Sequence, residues 1–370
     1  MRQKVRKYIV PLVLIILMPH LVNLATCTMM IDKQLREIPM AVYLGDNTDL
    51  TREIVRSFDE NETFDVQYYV ESIKEIETLM SEGKVQFGLA IPVNFTKDVK
   101  GAKAPTVDLV IDGSQLSLAS FTKIRSSEIL LTIKTGAMMS LYQGKFNISE
   151  HEALNTAMPI SITTRLLGNP TRNYINFLLP GMMTALVQVG LAMNASAVFS
   201  RRERETFKQS FVRYLLNFST LGFVSMLGIV AVQSVFFKTP IKGSLLQIIL
   251  LTALFNLAVT AVSLAIASGL NNKVFASQVG ALWFIPSSIL SGYTWPLISM
   301  PDGIQRISHL MPFTYYGDTL RDLMLKGNSY VYGENLIKLM IIFAVASVAA
   351  FVLNTIRIRS GGGQHAEIND

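Results

Sequence analysis

Charged side chains are scarce in this chain: Asp, Glu, Lys and Arg make up 16% of its 370 residues, where an ordinary soluble domain carries about a quarter. Half of the residues are hydrophobic and the mean hydropathy is +0.37. Such a surface cannot be wholly wetted, which excludes a simple soluble enzyme and a disordered chain. The single cysteine, Cys27, excludes a disulfide-built fold, and its ordinary role is that of an apolar filler. The four histidines (20, 151, 309 and 365) are scattered and form no metal-ligand or nucleophile–base spacing, so no catalytic residue and no metal is expected. His309 near Asp302 and Asp318 reads as the surface of a loop helix. No G-x-x-x-x-G-K-[ST] sequence occurs, so this chain cannot hydrolyse ATP unaided.

What the chain has in abundance is long apolar runs. A helix needs about 20 apolar residues to cross the hydrocarbon core of a bilayer. Six stretches qualify: Tyr8–Cys27, Ile175–Phe199, Val212–Phe237, Ser244–Leu270, Phe275–Ile298 and Ile337–Ile356. The second, fourth and fifth hold no Asp, Glu, Lys or Arg at all, and neither does the stretch between Tyr214 and Phe237. The expected fold is a polytopic α-helical membrane protein of six transmembrane helices. The first run also admits a cleavable signal peptide ending at Leu24-Ala25-Thr26-Cys27. Thr before Cys and the length of the run favour an uncleaved anchor.

The net charge of +6 is unevenly placed. Residues 31–173 hold 19 acids and 15 bases, and the other 227 residues hold 8 and 18. Beside apolar runs the excess bases meet anionic lipid rather than nucleic acid. By the positive-inside rule, twelve bases gather on one side (Arg2, Lys4, Arg6, Lys7, Arg201, Arg202, Arg204, Lys208, Arg213, Lys273, Arg357 and Arg359) and six on the other (Lys238, Lys242, Arg306, Arg321, Lys326 and Lys338). Both termini are therefore expected in the cytoplasm and the 31–173 block outside; in a bacterium that means the inner membrane, with the block in the periplasm or at the cell exterior. The divisions are 1–30, a cytoplasmic tail with the first helix; 31–173, an extracytoplasmic block; 174–357, helices two to six; and 358–370, a cytoplasmic tail.

The 31–173 block alternates strand-like and helix-like patterns. Met40–Leu44, Phe64–Val70, Val85–Ile91 and Val107–Ile111 read as strands. Helices are expected after a Thr48/Thr51 cap, over Ile73–Met80 and over Leu116–Tyr142, which gives a small α/β domain inserted between the first two spans. Its acids, such as Glu71, Glu75 and Glu77, sit at the spacing of a solvated helix face. The three N-x-[ST] sites, at Asn61, Asn94 and Asn147, fit surface loops.

Three stretches of the remainder are distinctive. Asn169-Pro170 and Asn173-Tyr174 lead to Phe177-Leu178-Leu179-Pro180-Gly181 at the start of the second span, where Pro and Gly free backbone groups that need cover. Arg201-Arg202-Glu203-Arg204-Glu205-Thr206-Phe207-Lys208-Gln209 follows that span. Ser291-Gly292-Tyr293-Thr294-Trp295-Pro296 is followed by Met300-Pro301 and Met311-Pro312, so the chain cannot run there as one helix; around 299–336 it is expected to form short pieces anchored by aromatics. Gln188 and Asn256 should lie near mid-span, where a polar side chain lines a path or bonds a neighbouring helix. His20 and Asn23 share a face of the first span. No acid sits mid-span, which argues against proton coupling.

In these stretches the chain resembles the permease subunits of ABC-2-type (type V) ATP-binding-cassette exporters. Within the insert, Gly83-Lys84-Val85, Leu89-Ala90-Ile91-Pro92 with Phe95, and Asp112-Gly113-Ser114 also look like that family's pattern. The resemblance implies that the segment 201–208, written E-R-E-x-G-T-x-E in the family, contacts a separate ATPase subunit through Glu203, Arg204 and Thr206, with Arg201, Arg202 and Glu205 beside them. Here Glu205 stands for the family's Gly, and Lys208 for its last Glu. It implies further that Ser291, Gly292, Pro296, Met300, Pro301 and Pro312 shape a re-entrant outer gate, with Pro180 and Gly181 at the start of the second helix. ATP and Mg would belong to the partner, and a second permease, identical or a sibling, would complete the transporter. The expected cargo is an amphipathic small molecule, a lipid-like compound or a peptide. The rival reading is a membrane-anchored receptor or envelope-assembly protein whose external α/β domain binds a partner; five further spans with internal Pro and Gly breaks exceed what an anchor needs.

Overall fold

The computed structural model describes residues 11–29, 36–101, 103–114, 116–158, 168–170, 173–199 and 206–363. The chain divides into two compact units, Gln34–Thr164 and the helical remainder, Met1–Lys33 with Arg165–Asp370.

The first unit is built on β1 (Ile38–Leu44), β2 (Phe64–Val70), β3 (Phe87–Ile91) and β4 (Asp108–Ile111), in the order β2-β1-β3-β4. β1 pairs in parallel with β2 and β3, and β4 closes the edge antiparallel to β3. The period of two in β1 explains the layering. Met40 and Val42 face α2 (Asp49–Asp59) through Ile54, Val55 and Phe58, while Ala41 and Tyr43 face the cluster that holds Ile76 of α3 (Ile73–Ser81). The sheet therefore carries a helix on each face. The rings of Phe58, Phe64 and Phe87 lie 4.9–5.8 Å apart at the centre of the first layer. α3 comes closest to the sheet at Gly88, where a Cβ would run into the Ile76 side chain.

Helix starts in this unit are set by short polar side chains. Thr48 and Thr51 form a reciprocal capping box on α2, as the sequence suggests. After α4 (Phe95–Lys100) the chain enters the 31-residue α5 (Leu116–Phe146) and then α6 (Glu150–Ala157). Ser149 caps α6, and its N–H and hydroxyl, donated to Glu152, hold that carboxyl below its ordinary range. Asp112 is held low in the same way by the Ser114 N–H.

The helical unit begins with a π-helical turn, Val13–Leu17, running into α1 (Met18–Met29). A π turn leaves backbone carbonyls out of register with their usual donors, and the Ile15 carbonyl accepts from Ser225 Oγ at 2.6 Å. Asn23, fully buried, accepts from Gln233 Nε2 at 2.7 Å and from Cys27 Sγ. His20 instead lies against Gly228. The unit continues as α7 (Tyr174–Ser196), α8 (Phe207–Val235), α9 (Leu245–Gly269), α10 (Lys273–Phe284), α11 (Ser287–Leu290), a 3-10 turn (Leu297–Ser299), α12 (Asp302–Ser308), α13 (Phe313–Leu325) and α14 (Tyr332–Gly363).

Among the described residues four helices are long and apolar enough to cross a membrane: Ile175–Ser196, Phe207–Val235, Leu245–Gly269 and Tyr332–Arg359. The apolar helix at Val13–Thr28 is shorter. The expected fifth run, Phe275–Ile298, is not one helix: α10 stops at Phe284, Pro286 starts α11, and Gly292 turns the chain at φ +95°. A proline without an N–H and a residue at positive φ both end α-helical pairing. In the most apolar stretch of α7 72% of residues are buried, against 17% in α14, so α7 is the central helix of the unit and α14 a peripheral one.

Candidate functional site

Pro180 lies inside α7 and donates no N–H, so the turn around it has backbone groups to be satisfied from outside. The partner is Tyr293, only 2% exposed. Its hydroxyl accepts from the Gly181 N–H at 3.0 Å and lies 3.0 Å from each of the Phe177 and Leu178 carbonyls, which share its one proton. The ring fits because two glycines face it. A Cβ on Gly181 would overlap the ring carbons, and one on Gly317 of α13 would lie 2.9 Å from Tyr293 Cδ2.

Arg321 locks the other side of this tyrosine. Nη1 donates to the Tyr293 carbonyl at 3.1 Å, and Nη2 pairs with Asp318 at 2.5 Å. The guanidinium lies 4.5 Å from the ring centres of both Tyr293 and Phe177, so α13 grips a residue of α7 and the tyrosine at once. The turn that aims Tyr293 is made by its neighbours: Ser291 Oγ accepts the Tyr293 N–H at 3.3 Å, and Gly292 takes a left-handed conformation where a Cβ would sit 2.7 Å from Leu297 Cγ. The structure thus brings two separate groups of sequence-chosen residues, Pro180 with Gly181 and Ser291 with Gly292, onto the one side chain of Tyr293. Arg321, counted in the sequence as a topology charge, belongs to the same cluster.

The other prolines have a common job. Pro286, Pro296, Pro301 and Pro312 each stand at the N-cap of the next short helix or 3-10 turn, where a missing N–H costs nothing. The carbonyl of Met300 accepts from Gln305 Nε2 at 2.9 Å and so ties the turn before α12. The end of α13 is docked by backbone alone: the N–H groups of Lys242 and Gly243 donate to the Met324 and Leu323 carbonyls.

Gln188 and Asn256 are both fully buried but in different helix contacts. Gln188 donates to Ser287 Oγ and to the Phe284 carbonyl, joining α7 to the α10–α11 break. Asn256 donates to the Thr252 carbonyl and lies against Gly222 of α8. Tyr316 stacks on Phe255 at 4.1 Å.

Residues 201–205 lie outside the described residues, and Thr206 is the N-cap of α8, accepting from the Gln209 N–H. The two flanks of the segment meet: the rings of Phe199 and Phe207 are 5.0 Å apart, and Phe207 and Phe211 reach Phe351 of α14 at 5.0 and 5.2 Å. Bases cap helix ends here. Lys273 Nζ donates to the Val198 carbonyl after α7, and Arg357 donates to the Ala267 and Leu270 carbonyls at the end of α9. Cations at helix C-termini are favoured by the helix dipole.

Among the described residues no group of three or more His, Cys, Asp or Glu could hold a metal ion. The clusters at Tyr293 and Phe207 contain no nucleophile with an adjacent base; they are joints between helices. The backbone-breaking residues Pro180, Gly181, Ser291 and Gly292 are the sequence signal at this joint, but the partner of a proline turn is not readable from one chain without the fold.

The family model described as ABC-2 family transporter protein matches residues 8–353. The chain is 27% identical over 293 residues to the Escherichia coli (strain K12) protein named probable multidrug ABC transporter permease YbhS, covering 75% of this chain and 74% of that one. It is 21% identical over 351 residues to probable multidrug ABC transporter permease YbhR of the same organism, covering 92% of each. It is 23% identical over 307 residues to inner membrane transport permease YhhJ, also of that strain, covering 79% of this chain and 78% of the relative. With apolar helices of membrane-spanning length and a family match over nearly its whole length, the chain is a multi-pass membrane protein and belongs to the ABC-2 family of transporter proteins, as one of its permeases.

Proposed function

We infer that this chain is the membrane-spanning half of an ATP-driven exporter in a bacterial inner membrane. The observation that carries the reading is the family match over residues 8–353. Six crossings follow if the Val13–Met29 helix, α7, α8, α9, the broken α10–α11 pair and α14 each traverse the bilayer. The twelve-to-six split of bases then puts both termini in the cytoplasm and the Gln34–Thr164 unit outside. ATP and Mg are bound by a separate ATPase subunit, which meets the segment 201–206 through Glu203, Arg204 and Thr206. A second permease, identical or a sibling, completes the path. Ser291, Gly292, Pro296, Met300, Pro301 and Pro312 shape the outer gate, and Pro180 and Gly181 form the entry of the second spanning helix. The relatives named as multidrug permeases support an amphipathic small molecule as cargo.

Affinity purification of the full chain in mild detergent tests this. A nucleotide-binding ATPase should co-purify, and the ATPase activity of the complex should fall on Glu203→Ala with Arg204→Ala. Recovery of envelope proteins alone, with no ATPase, would overturn it.

A further inference from the structure

Tyr293 is joined to its surroundings in a way that simple packing does not require. A buried tyrosine needs one partner for its hydroxyl. This one meets three backbone groups of a single helical turn, all within 3.0 Å, and that turn contains the only proline inside α7. A helix is easiest to bend where a proline has removed a ladder bond and an outside group has entered the ladder. The hydroxyl therefore sits where α7 has least resistance to bending.

The same residue is bound to α13 from the opposite side. Arg321 holds its carbonyl and lies over its ring, and over the ring of Phe177 of α7 at the same distance. Gly181 and Gly317 leave no space between ring and backbone on either helix. A rotation of α7 about Pro180 moves the Gly181 N–H and the Phe177 carbonyl, and the hydroxyl must follow or lose its bonds. If it follows, the Ser291–Tyr293 turn and Arg321 are drawn with it, and with Arg321 the whole of α13. Tight contact makes such a joint two-positioned rather than soft, because packed interiors do not deform continuously.

We propose that Tyr293, held by Arg321, is the positioning residue that carries bending of α7 at Pro180–Gly181 into the Pro-rich segment 291–325, so that the segment moves as one piece with α7. The proposal deepens the exporter reading and rests on it, since it supplies the link between a moving membrane helix and the gate.

The test uses the full permease with its co-purified ATPase in lipid nanodiscs. Spin labels are placed on Val224→Cys of α8 and on Ile298→Cys, which is 90% exposed; Cys27 is buried and stays in place. The distance between the labels is measured by pulsed electron resonance without nucleotide and after trapping with ATP and vanadate. In the parent the distance should change on trapping. Tyr293→Phe keeps the ring and removes the three hydroxyl contacts, and the change should drop to less than half while the ATPase still co-purifies. Arg321→Lys keeps the charge and removes the planar stacking, and it should reduce the change by a smaller amount; it also stands in if Tyr293→Phe fails to assemble. Tyr330→Phe, at a fully exposed tyrosine, is the control that should match the parent.

If the variants melt earlier but move as far as the parent, the cluster only packs the fold and the proposal is overturned. A parent distance that ignores nucleotide, with the ATPase bound, overturns it as well. If no ATPase co-purifies with the parent, the exporter reading fails first, and that failure is seen before any label is read.

Discussion

Arg321 and Arg357 both donate a guanidinium N–H to backbone carbonyls of the helical unit, and they are held in opposite ways. Arg321 is bonded at 3.1 Å to a buried tyrosine, paired with Asp318, and lies over two rings; its side chain is 17% exposed. Arg357 sits in the last turns of α14 and reaches the end of α9 at 3.4 and 3.5 Å. The first is fixed by shape, through a planar cation between aromatic faces. The second meets the partial negative charge of a helix C-terminus and also donates to Asn354 Oδ1 at 3.0 Å. A tally of bases along the sequence weighs the two equally. Their surroundings show that one is a piece of a joint between helices and the other a cap on a helix end.

The sharpest way to break that contrast is to remove each arginine in turn. Arg321→Ala leaves the Tyr293 carbonyl without its donor and Asp318 without its cation. Breaking a fully buried ion pair costs roughly 3–5 kcal/mol, and with Asp318 half exposed about 2–3 kcal/mol is expected. Thermal unfolding in detergent should show a clear fall in Tm. Arg321→Lys should recover part of it, because the charge returns and the stacking does not. If Arg321→Ala melted within a degree of the parent, the joint would be no tighter than a surface pair.

Glycines sharpen the contrast next. At the Tyr293 end, Gly181→Ala drives a Cβ into the tyrosine ring, an overpacking that costs about 1–3 kcal/mol. At the Arg357 end, the nearest atoms to a Cβ on Gly269 are Leu353 carbons, the closest at 3.5 Å, which is ordinary contact. Gly269→Ala should leave the Tm unchanged or raise it slightly, since alanine is the better helix former. Equal Tm losses at both positions would mean that the two ends do not differ in tightness.

How far the sequence could anticipate these ends depends on the range of the interaction involved. The layered sheet was legible because its signals are local: alternation in β1, the Thr48–Thr51 cap and the turn at Asp112-Gly113-Ser114 each lie within a few residues. The long apolar helices were legible from length and the absence of charge. The fifth run is continuous in apolar composition, while Pro286 and Gly292 break its backbone. At the site, Pro180, Gly181, Ser291 and Gly292 stood out as backbone-breaking residues. What joins them is a bond between positions 112 residues apart, and no spacing rule reaches that far. The segment 201–205 stood out by its charges and lies outside the described residues, although its flanks, Phe199 and Phe207, meet in a contact the sequence reading did not foresee.

The smallest effects belong to the Arg357 end and test why it differs. Phe351→Ala removes a ring that touches Phe207 and Phe211 but is 39% exposed. About 1–2 kcal/mol is expected, less than for a fully buried phenylalanine. Arg357→Ala should cost least, about 0.5–1 kcal/mol, because a cation near a helix C-terminus gains only that much from the dipole. Salt separates the mechanisms. Raising the ionic strength screens a cation's interaction with a helix end more than the hold on one stacked against aromatic rings. The Tm difference between parent and Arg357→Ala should therefore shrink in 1 M salt by a larger fraction than the difference for Arg321→Ala. If both differences shrank alike, Arg321 would owe its hold to charge rather than to its fit between Tyr293 and Phe177, and the joint at Pro180 would lose its physical basis.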